Sequence, residues 1–432
     1  MESHALVSAV ARVWPRVPEL LAGEDLERFE SDVLVRLRAL ESAPAPTIPG
    51  MREPARAATA RRDVAALFAE HPPLYAQLTE EFESLLIGVE RSGAPSPPGA
   101  LPYLRSLVIP VLFATDRAAE PRPPARFTGD RGELTYGKAV VGIPDDHRMG
   151  AVEKPRPWRL RFRRTADRDV LLASATTLPR PDFADTARAL LSDLSRKQVL
   201  VFVHGYNVGF GAAAMRAAQI AYDLGFAGVP MLYSWPSRGS VLSYPEDENN
   251  ARWSVEHFRE FLRCVLTESG AEEVHVVAHS MGNRVLTEAL AGFDTTSLGR
   301  GAGRLGHLVF AAPDVDAAVF RQLAPAVVRQ ARTCTLYASS RDRALKLSRK
   351  LAGYPRAGQS GEGTVVVKGI DTIDATALDT GLMSHSYVGD HTSVLSDLFF
   401  LLHHGRPPSE RFGLSAVEHA DGTYWTFRAL RG

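Results

Sequence analysis

The sequence lacks most features that mark secreted, membrane-spanning or nucleic-acid-binding proteins. It contains only two cysteines, Cys264 and Cys334, which do not make a disulfide framework, so two reduced core thiols are expected. Basic and acidic residues number 50 each, and this balance gives no support to a nucleic-acid or anionic-membrane partner, although it leaves room for a local charged patch. No apolar run is long enough to span a bilayer, and the first residues show no secretion signal. A cytoplasmic location is therefore expected.

Motifs for cofactors and metals are absent as well. The sequence has no phosphate-binding P-loop, no G-x-G-x-x-G after a strand and no H-E-x-x-H, and neither cysteine stands in a metal-binding spacing. We therefore expect neither a cofactor nor a metal. With 45% apolar and 23% charged residues, the composition is that of a globular protein.

The first 92 residues differ from the rest of the chain. Their apolar residues recur at three- and four-residue spacing, as in Leu26, Phe29 and Val33, which indicates helices. A proline-rich stretch follows. We predict a small all-helical domain over 1–92, a linker over 93–102 and a second domain over 103–432. The helical domain has no cluster of ionisable residues that suggests chemistry, so it either supports the fold or serves protein binding or self-association.

Beyond residue 107 apolar strands appear, and those over 134–143 and 158–162, with 170–175 as a further candidate, are expected to pair in antiparallel fashion at the start of a mixed sheet. From residue 199 strands alternate regularly with helices. Strands are expected over 199–203, 229–235, 307–312, 333–338 and 364–370, with one more directly before Ser280. This alternation predicts an α/β fold with a mostly parallel sheet and helices on both faces. The polar residues that follow the strands should gather at the carboxyl edge of the sheet.

One segment has the pattern of a nucleophile elbow, a strand, a tight turn with a serine at its apex, and a helix. It is VHVVAHSMGNRVL, with Ser280 at the apex. Small residues are needed two positions on either side because strand and helix crowd together there. Gly282 satisfies this need, and Ala278 stands where glycine is usual.

A serine nucleophile requires a base, and the base requires an orienting carboxylate. In an α/β-hydrolase sheet the chain order is serine, acid, histidine. Ser280, Asp342 and His385 follow that order, each after a strand. We predict them to be the catalytic triad.

Both partners of the serine have rivals. Asp314 and Asp316 follow the first strand after the elbow, whereas the acid of this fold usually follows the second, which favours Asp342. Asp314 could instead cap the next helix. For the base, His391 is the alternative to His385, but it stands directly before the last helix.

The oxyanion formed during acyl transfer needs two backbone N–H donors. Met281, the residue after the serine, should supply one from the start of its helix. Tyr206 or a neighbour in the loop after strand 199–203 should supply the other, with Gly205 allowing a close approach. His204 is a candidate for the substrate pocket, although a hydrogen bond that holds this loop is the more ordinary role.

Tyr233 and Trp235 flank Ser234 at the end of the next strand. Strand alternation puts both side chains on one face, so they are candidates for a shared wall of the substrate pocket. Packing in the core is the alternative.

Five segments in this order resemble the bacterial α/β-hydrolases of the DUF900 family. They are VFVHGYNVGFG…YSWPSRG, VHVVAHSMGNRVLTEAL, LVFAAPDVDAAVF, TLYASSRDRALKLS and IDTIDAT…SHSYV. The resemblance covers about residues 107–405 and leaves 1–92 outside. It implies an α/β-hydrolase fold and a triad on Ser280, Asp342 and His385. The sequence departs from the family pattern at Ser384, where glycine is usual.

Together these features predict a serine hydrolase, most plausibly an esterase or lipase-like enzyme that cleaves a small-molecule or lipid ester. Thioesterase, amidase and peptidase reactions use the same groups, so the fold does not select the substrate. Two alternatives stay open. The chain could be a catalytically silent binding module, or a hydrolase effector regulated through residues 1–92.

Overall fold

The computed structural model describes residues 106–120, 126–144, 170–239, 243–378 and 392–428, together with single residues or short runs between 6 and 78 and residues 147 and 149. Eleven strands in this part of the chain form one sheet, in the spatial order β10-β11-β9-β8-β7-β6-β4-β5-β1-β2-β3. The strands are, in chain order, β1 Ser106–Glu120, β2 Arg126–Pro144, β3 Leu171–Leu178, β4 Gln198–Val203, β5 Val229–Ser234, β6 Glu273–His279, β7 Arg304–Ala311, β8 Ala331–Ala338, β9 Ile370–Asp374, β10 Leu414–His419 and β11 Gly422–Phe427.

The helices lie between these strands. They are α1 Arg180–Ser192, α2 Phe210–Asp223, α3 Tyr244–Glu268, α4 Gly282–Ala291, α5 Ala317–Val328, α6 Arg343–Ala352 and α7 Thr392–His404. Helix α1 begins with proline near its first position, where a missing N–H costs nothing, and α6 ends at Gly353 in a left-handed conformation.

The centre of the sheet is parallel, from β1 through β5, β4, β6, β7 and β8 to β9. Alternate residues of β4 face opposite sides: Val201 belongs to the core with α1, α3 and α4, and Phe202 to the core with α2 and α7. This arrangement confirms the predicted α/β class with helices on both faces.

One edge of the sheet has the antiparallel pairing expected at its start, and the other edge differs from the prediction; the expected strand 158–162 lies outside the described residues. β1, β2 and β3 form an antiparallel meander. The apolar run 364–370 is mostly irregular, and strand β9 begins only at Ile370, after Gly369 with φ +88°. The hairpin of β10 and β11 extends the sheet beyond β9 and has no counterpart in the predicted elements.

The described N-terminal residues pack onto the α/β domain. The ring of Trp14 lies 4.0 Å from that of Phe412, and the guanidinium of Arg12 lies over Phe399 at 5.8 Å. Several buried residues before 80 join the core that contains α7. The domain boundaries 1–92, 93–102 and 103–432 stay predictions, because the linker lies outside the described residues.

Within the described residues no helix combines the length and apolar character needed to cross a bilayer. Cys264 and Cys334 are buried and unpaired.

Candidate active site

Ser280 occupies the turn between β6 and α4 in a strained conformation. Its φ is +52°, in the left-handed region that residues other than glycine rarely adopt. The turn is fixed to the neighbouring strand because Ser280 N donates to Ala311 O at 2.9 Å. The strand, turn and helix therefore have the geometry expected of an elbow.

The carbonyl of Ser280 is held from several directions. It accepts from the backbone N–H groups of Asn283 and Asp314, both at 3.1 Å. The side chain of Asn283 donates to Ser280 O at 3.0 Å and to Ala311 O at 3.1 Å. Asn283 is fully buried and ties the strained turn to β7. Sequence reasoning assigned it no role, although its place three residues after the serine, facing the turn, was a usable signal.

Two glycines let the chain pass close to the serine. A Cβ on Gly282 would lie 2.4 Å from His204 O, and a Cβ on Gly205 would lie 2.8 Å from Ser280 Cβ. Both contacts are too short for any larger residue without displacement. The loop after β4 thus lies directly against the elbow.

The candidate oxyanion donors stand on either side of that contact. Met281 is buried at the start of α4. Tyr206 is partly exposed, and its ring meets Tyr244 edge-on at 5.4 Å. Asn207 after it has φ +58°, so this loop too is locally strained.

His204 anchors the loop and presents no surface to a substrate. It is buried, and burial followed by the charge of Arg117 lowers the pKa of His204 well below its ordinary value, so the ring is neutral. Because an arginine only donates, Nε2 accepts from Arg117 at 3.2 Å and Nδ1 donates to Gly205 O at 2.8 Å. Its contacts support the loop-holding role.

Arg117, near the end of β1, links β2 to the loops that follow β4 and β5, and it was not found from the sequence. Its guanidinium donates to Val208 O at 2.7 Å, to Ser237 O at 2.9 Å and to Thr128 O at 3.0 Å. Burial lowers the pKa of Arg117 to about 10, so it remains charged at neutral pH. An arginine closing an apolar strand was the only sequence signal.

Tyr233 and Trp235, the candidates for a pocket wall, are packed in the core. Both have zero exposure. Trp235 stacks on His204 and donates to its carbonyl at 2.7 Å. Tyr233 packs against Phe258 and donates to Asp116 at 3.0 Å. The alternation put them on one face correctly, but that face is the core under α3.

Asp314 lies at the centre of a buried ionic cluster. Its Oδ1 accepts from Ser348 at 2.5 Å and lies 3.2 Å from Arg356 Nε, while its Oδ2 accepts from Tyr244 at 2.8 Å. Arg284 donates to its backbone carbonyl at 2.7 Å. Burial, and next the charge of Asp314, raise the pKa of Tyr244 to about 12, which keeps the hydroxyl a donor. Both carboxylate oxygens are thus occupied by structural partners.

Asp316, and not Asp314, caps the next helix. Its carboxylate accepts from Ala318 N at 2.8 Å and Val319 N at 3.1 Å, at the start of α5. The capping role proposed for Asp314 was therefore wrong by two residues.

Asp342 lies in the loop after β8, buried at the start of α6. Its Oδ1 accepts from Leu345 N at 2.9 Å, which fixes the carboxylate as a helix cap. Ala312 N donates to Tyr337 O at 3.0 Å, so the ends of β7 and β8 are joined at the same edge as Ser280.

His385 and His391 lie outside the described residues, as does Ser384. Within the described part of the chain no group of three histidine, cysteine or acidic side chains could hold a metal.

Comparisons with known proteins agree with this architecture. A family model described as an α/β hydrolase of unknown function, DUF900, matches residues 183–400, half of the chain. Among solved structures, a Lactobacillus plantarum WCFS1 protein named as a cell surface hydrolase is 11% identical. The match covers 50% of this chain and 96% of that chain with a TM-score of 0.30, which carries no argument about function. No curated protein matches the sequence.

Proposed function

The chain belongs to the α/β hydrolases of the DUF900 family, and on that premise we propose that it is a serine esterase acting through an acyl-Ser280 intermediate. The observation that carries this proposal is the strained Ser280, at φ +52°, with Gly205 and Gly282 packed against it. A strained residue needs support from its surroundings, and Asn283 supplies it. Such strain is typical of functional sites.

In this proposal Ser280 Oγ attacks the ester carbonyl carbon while His385 takes the hydroxyl proton. Asp342 orients His385 and stabilises the imidazolium. The N–H groups of Met281 and Tyr206 receive the oxyanion of the tetrahedral intermediate. Its collapse breaks the ester C–O bond, and His385 gives the proton to the leaving alcohol. Water, deprotonated by His385, then releases the acid and restores Ser280.

The neutral, buried His204 supports this assignment of the loop. His204 Nδ1–H donates a hydrogen bond to Gly205 O, and this bond fixes the loop beside Ser280. The backbone N–H donor of this loop is therefore already oriented before the substrate binds, and such preorganisation is the basis of oxyanion stabilisation. A lipid or small-molecule ester and a cytoplasmic location complete the proposal, consistent with two unpaired thiols.

The test is labelling of the purified full-length protein with a fluorophosphonate probe. We expect the wild type and the control Ser297→Ala, altered at an exposed serine, to label, and Ser280→Ala to remain unlabelled. Hydrolysis of a short p-nitrophenyl ester should fall roughly 10⁶-fold in Ser280→Ala. Labelling that persists in Ser280→Ala would remove the nucleophile assignment. A folded wild type that neither labels nor turns over ester would favour a silent binding module.

A further inference from the structure

Helix α6 presents an outward side that is both basic and apolar. Of its side chains, Leu345 and Ser348 are buried, while Leu347 is 53% exposed. Tyr354, just after the helix, is 66% exposed. The exposed residues that make up this basic face are Arg341, Lys346, Leu347, Arg349, Lys350 and Tyr354.

Four cations of the basic face, Arg341, Lys346, Arg349 and Lys350, follow closely along one short segment. Within the residues that the structure covers, no carboxylate forms an ion pair with any of the four. Several other surface arginines, by contrast, are paired with carboxylates: Arg180, Arg188, Arg238, Arg252 and Arg406. The overall charge of zero therefore conceals a local excess of positive charge.

Apolar side chains concentrate in the same region. Four large apolar residues are exposed among the described ones, and three of them, Val319, Leu347 and Tyr354, lie on α5, on α6 or just after α6. The segment after α6 is bonded to the start of α5, because Ala317 N donates to Pro355 O at 2.9 Å. Basic and apolar groups thus share one surface.

The inner side of α6 contacts the candidate active site. Ser348 donates to Asp314 at 2.5 Å, and Asp314 N donates to Ser280 O at 3.1 Å. Asp342 caps the same helix. A ligand on the outer side of α6 would therefore be separated by this helix alone from the sheet edge that carries Ser280.

We propose that the basic face docks the protein on a membrane of anionic phospholipid. Lysine and arginine side chains beside apolar ones are the composition by which a helix lies on such a surface, the cations against headgroups and the apolar groups among acyl chains. A nucleic acid would match the charge but not the exposed Leu347 and Tyr354. Docking rests on this face alone; only its consequence, delivery of lipid esters to Ser280, rests on the proposed esterase activity.

The test is sedimentation of full-length Ser280→Ala protein with vesicles, which separates binding from turnover. We expect binding to vesicles containing equal parts phosphatidylglycerol and phosphatidylcholine, weakening as salt rises, and little binding to phosphatidylcholine alone. The triple variant Lys346→Gln/Arg349→Gln/Lys350→Gln should bind roughly 100-fold more weakly, about fivefold for each charge. Leu347→Ala should weaken binding roughly tenfold.

A matched control has the same net charge as the triple variant. Arg188→Gln/Arg252→Gln/Arg406→Gln removes three surface arginines that are paired with carboxylates. This variant should bind vesicles as tightly as the protein with an unaltered basic face. Equal losses in both triple variants would overturn the assignment to α6. So would absence of vesicle binding, binding to a DNA oligonucleotide instead of vesicles, or a dimer in sedimentation equilibrium that Leu347→Ala dissociates. Thermal melts check that each variant is folded.

Discussion

Strands β6 and β7 carry buried polar groups at both ends, but the two ends are built differently. At the carboxyl end Ser280 has a left-handed conformation, and its carbonyl accepts from the backbone N–H of Asp314, whose side chain lies at the centre of an ionic cluster. Nearer the amino end the rings of His275 and His307 stack at 5.0 Å, and neither residue has a positive φ, although the pairing of β6 with β7 is irregular at His275. Burial lowers the pKa of His275 to about 3 and that of His307 to about 2, so both are neutral.

The comparison shows that buried polarity alone does not mark a site. The amino end buries two histidines and the carboxyl end buries a carboxylate. At the carboxyl end there is in addition a strained serine, with glycines that allow the loop after β4 to pass close to it. The two ends should therefore separate experimentally in turnover: substitutions at the proposed triad and at the loop beside Ser280 should lower it, whereas amino-end substitutions should change stability and leave turnover near that of the wild type.

The largest effect is expected for Asp342→Asn. Without a carboxylate the proposed base His385 loses its orientation and the stabilisation of its cation, so kcat/KM should fall roughly 10³–10⁴-fold. Asp314→Asn is the matched comparison, and we expect its turnover to stay within about tenfold of wild type because Asp314 is occupied by Arg356, Ser348 and Tyr244. Ester hydrolysis by both variants is the measurement. A larger loss of kcat/KM in Asp314→Asn than in Asp342→Asn would make Asp314 the catalytic acid and Asp342 the structural carboxylate.

The next effect is on folding. Asp314→Ala leaves Arg356 buried without its carboxylate, and loss of one partner of a buried ion pair costs about 3–5 kcal/mol. We expect the urea midpoint to fall accordingly. Asp130→Ala removes the exposed partner of Arg238 and should change stability by less than about 1 kcal/mol. Similar midpoints for the two variants would contradict the structural role given to the cluster.

The elbow was predictable because its signal is local. Strand, serine turn and Gly282 are consecutive, and the parallel sheet follows from the alternation of strands and helices. Arg117 and Asn283 were not found, because their roles depend on partners brought close by the fold; Arg117 binds His204, 87 positions away along the chain. Local sequence patterns therefore predict a strand, turn or helix, but the side chains that contact it are known only from the fold.

The errors have equally physical causes. Period-two alternation places Tyr233 and Trp235 on one face but does not say which face meets the serine. The apolar run 364–370 reads as a strand, yet Gly369, with φ +88°, ends the irregular segment and the strand starts after it. His385 and the linker 93–102 stay predictions.

A smaller effect is expected from the closeness of the loop and the serine. In Gly205→Ala the new Cβ would lie 2.8 Å from both Ser280 Cβ and His279 Nδ1, so the loop must shift away from the serine and from the proposed oxyanion position. We expect a loss of kcat of about 10–100-fold. Gly209→Ala, in the same loop, meets no atom within 4 Å at an ordinary φ of −79°, and should keep its kcat. Equal kcat values for the two variants would show that this close contact does not matter for turnover.

The last prediction concerns the amino end, where the free energy of unfolding should change gradually with pH. The folded-state pKa of His275, about 3, lies below the ordinary 6.5, so between those values the unfolded chain binds a proton that the folded chain does not. Stability should thus be full above pH 6.5 and fall by up to about 1.4 kcal/mol per pH unit for each such histidine below it. His275→Gln should flatten the slope of urea-unfolding free energy against pH by about one proton and leave kcat at neutral pH within about threefold. His419→Gln, at a partly exposed histidine of the β10–β11 hairpin, is the matched histidine-to-glutamine variant for comparison. A slope that His275→Gln does not alter would show that acid lability arises elsewhere, and a large loss of kcat would end the separation of the two ends.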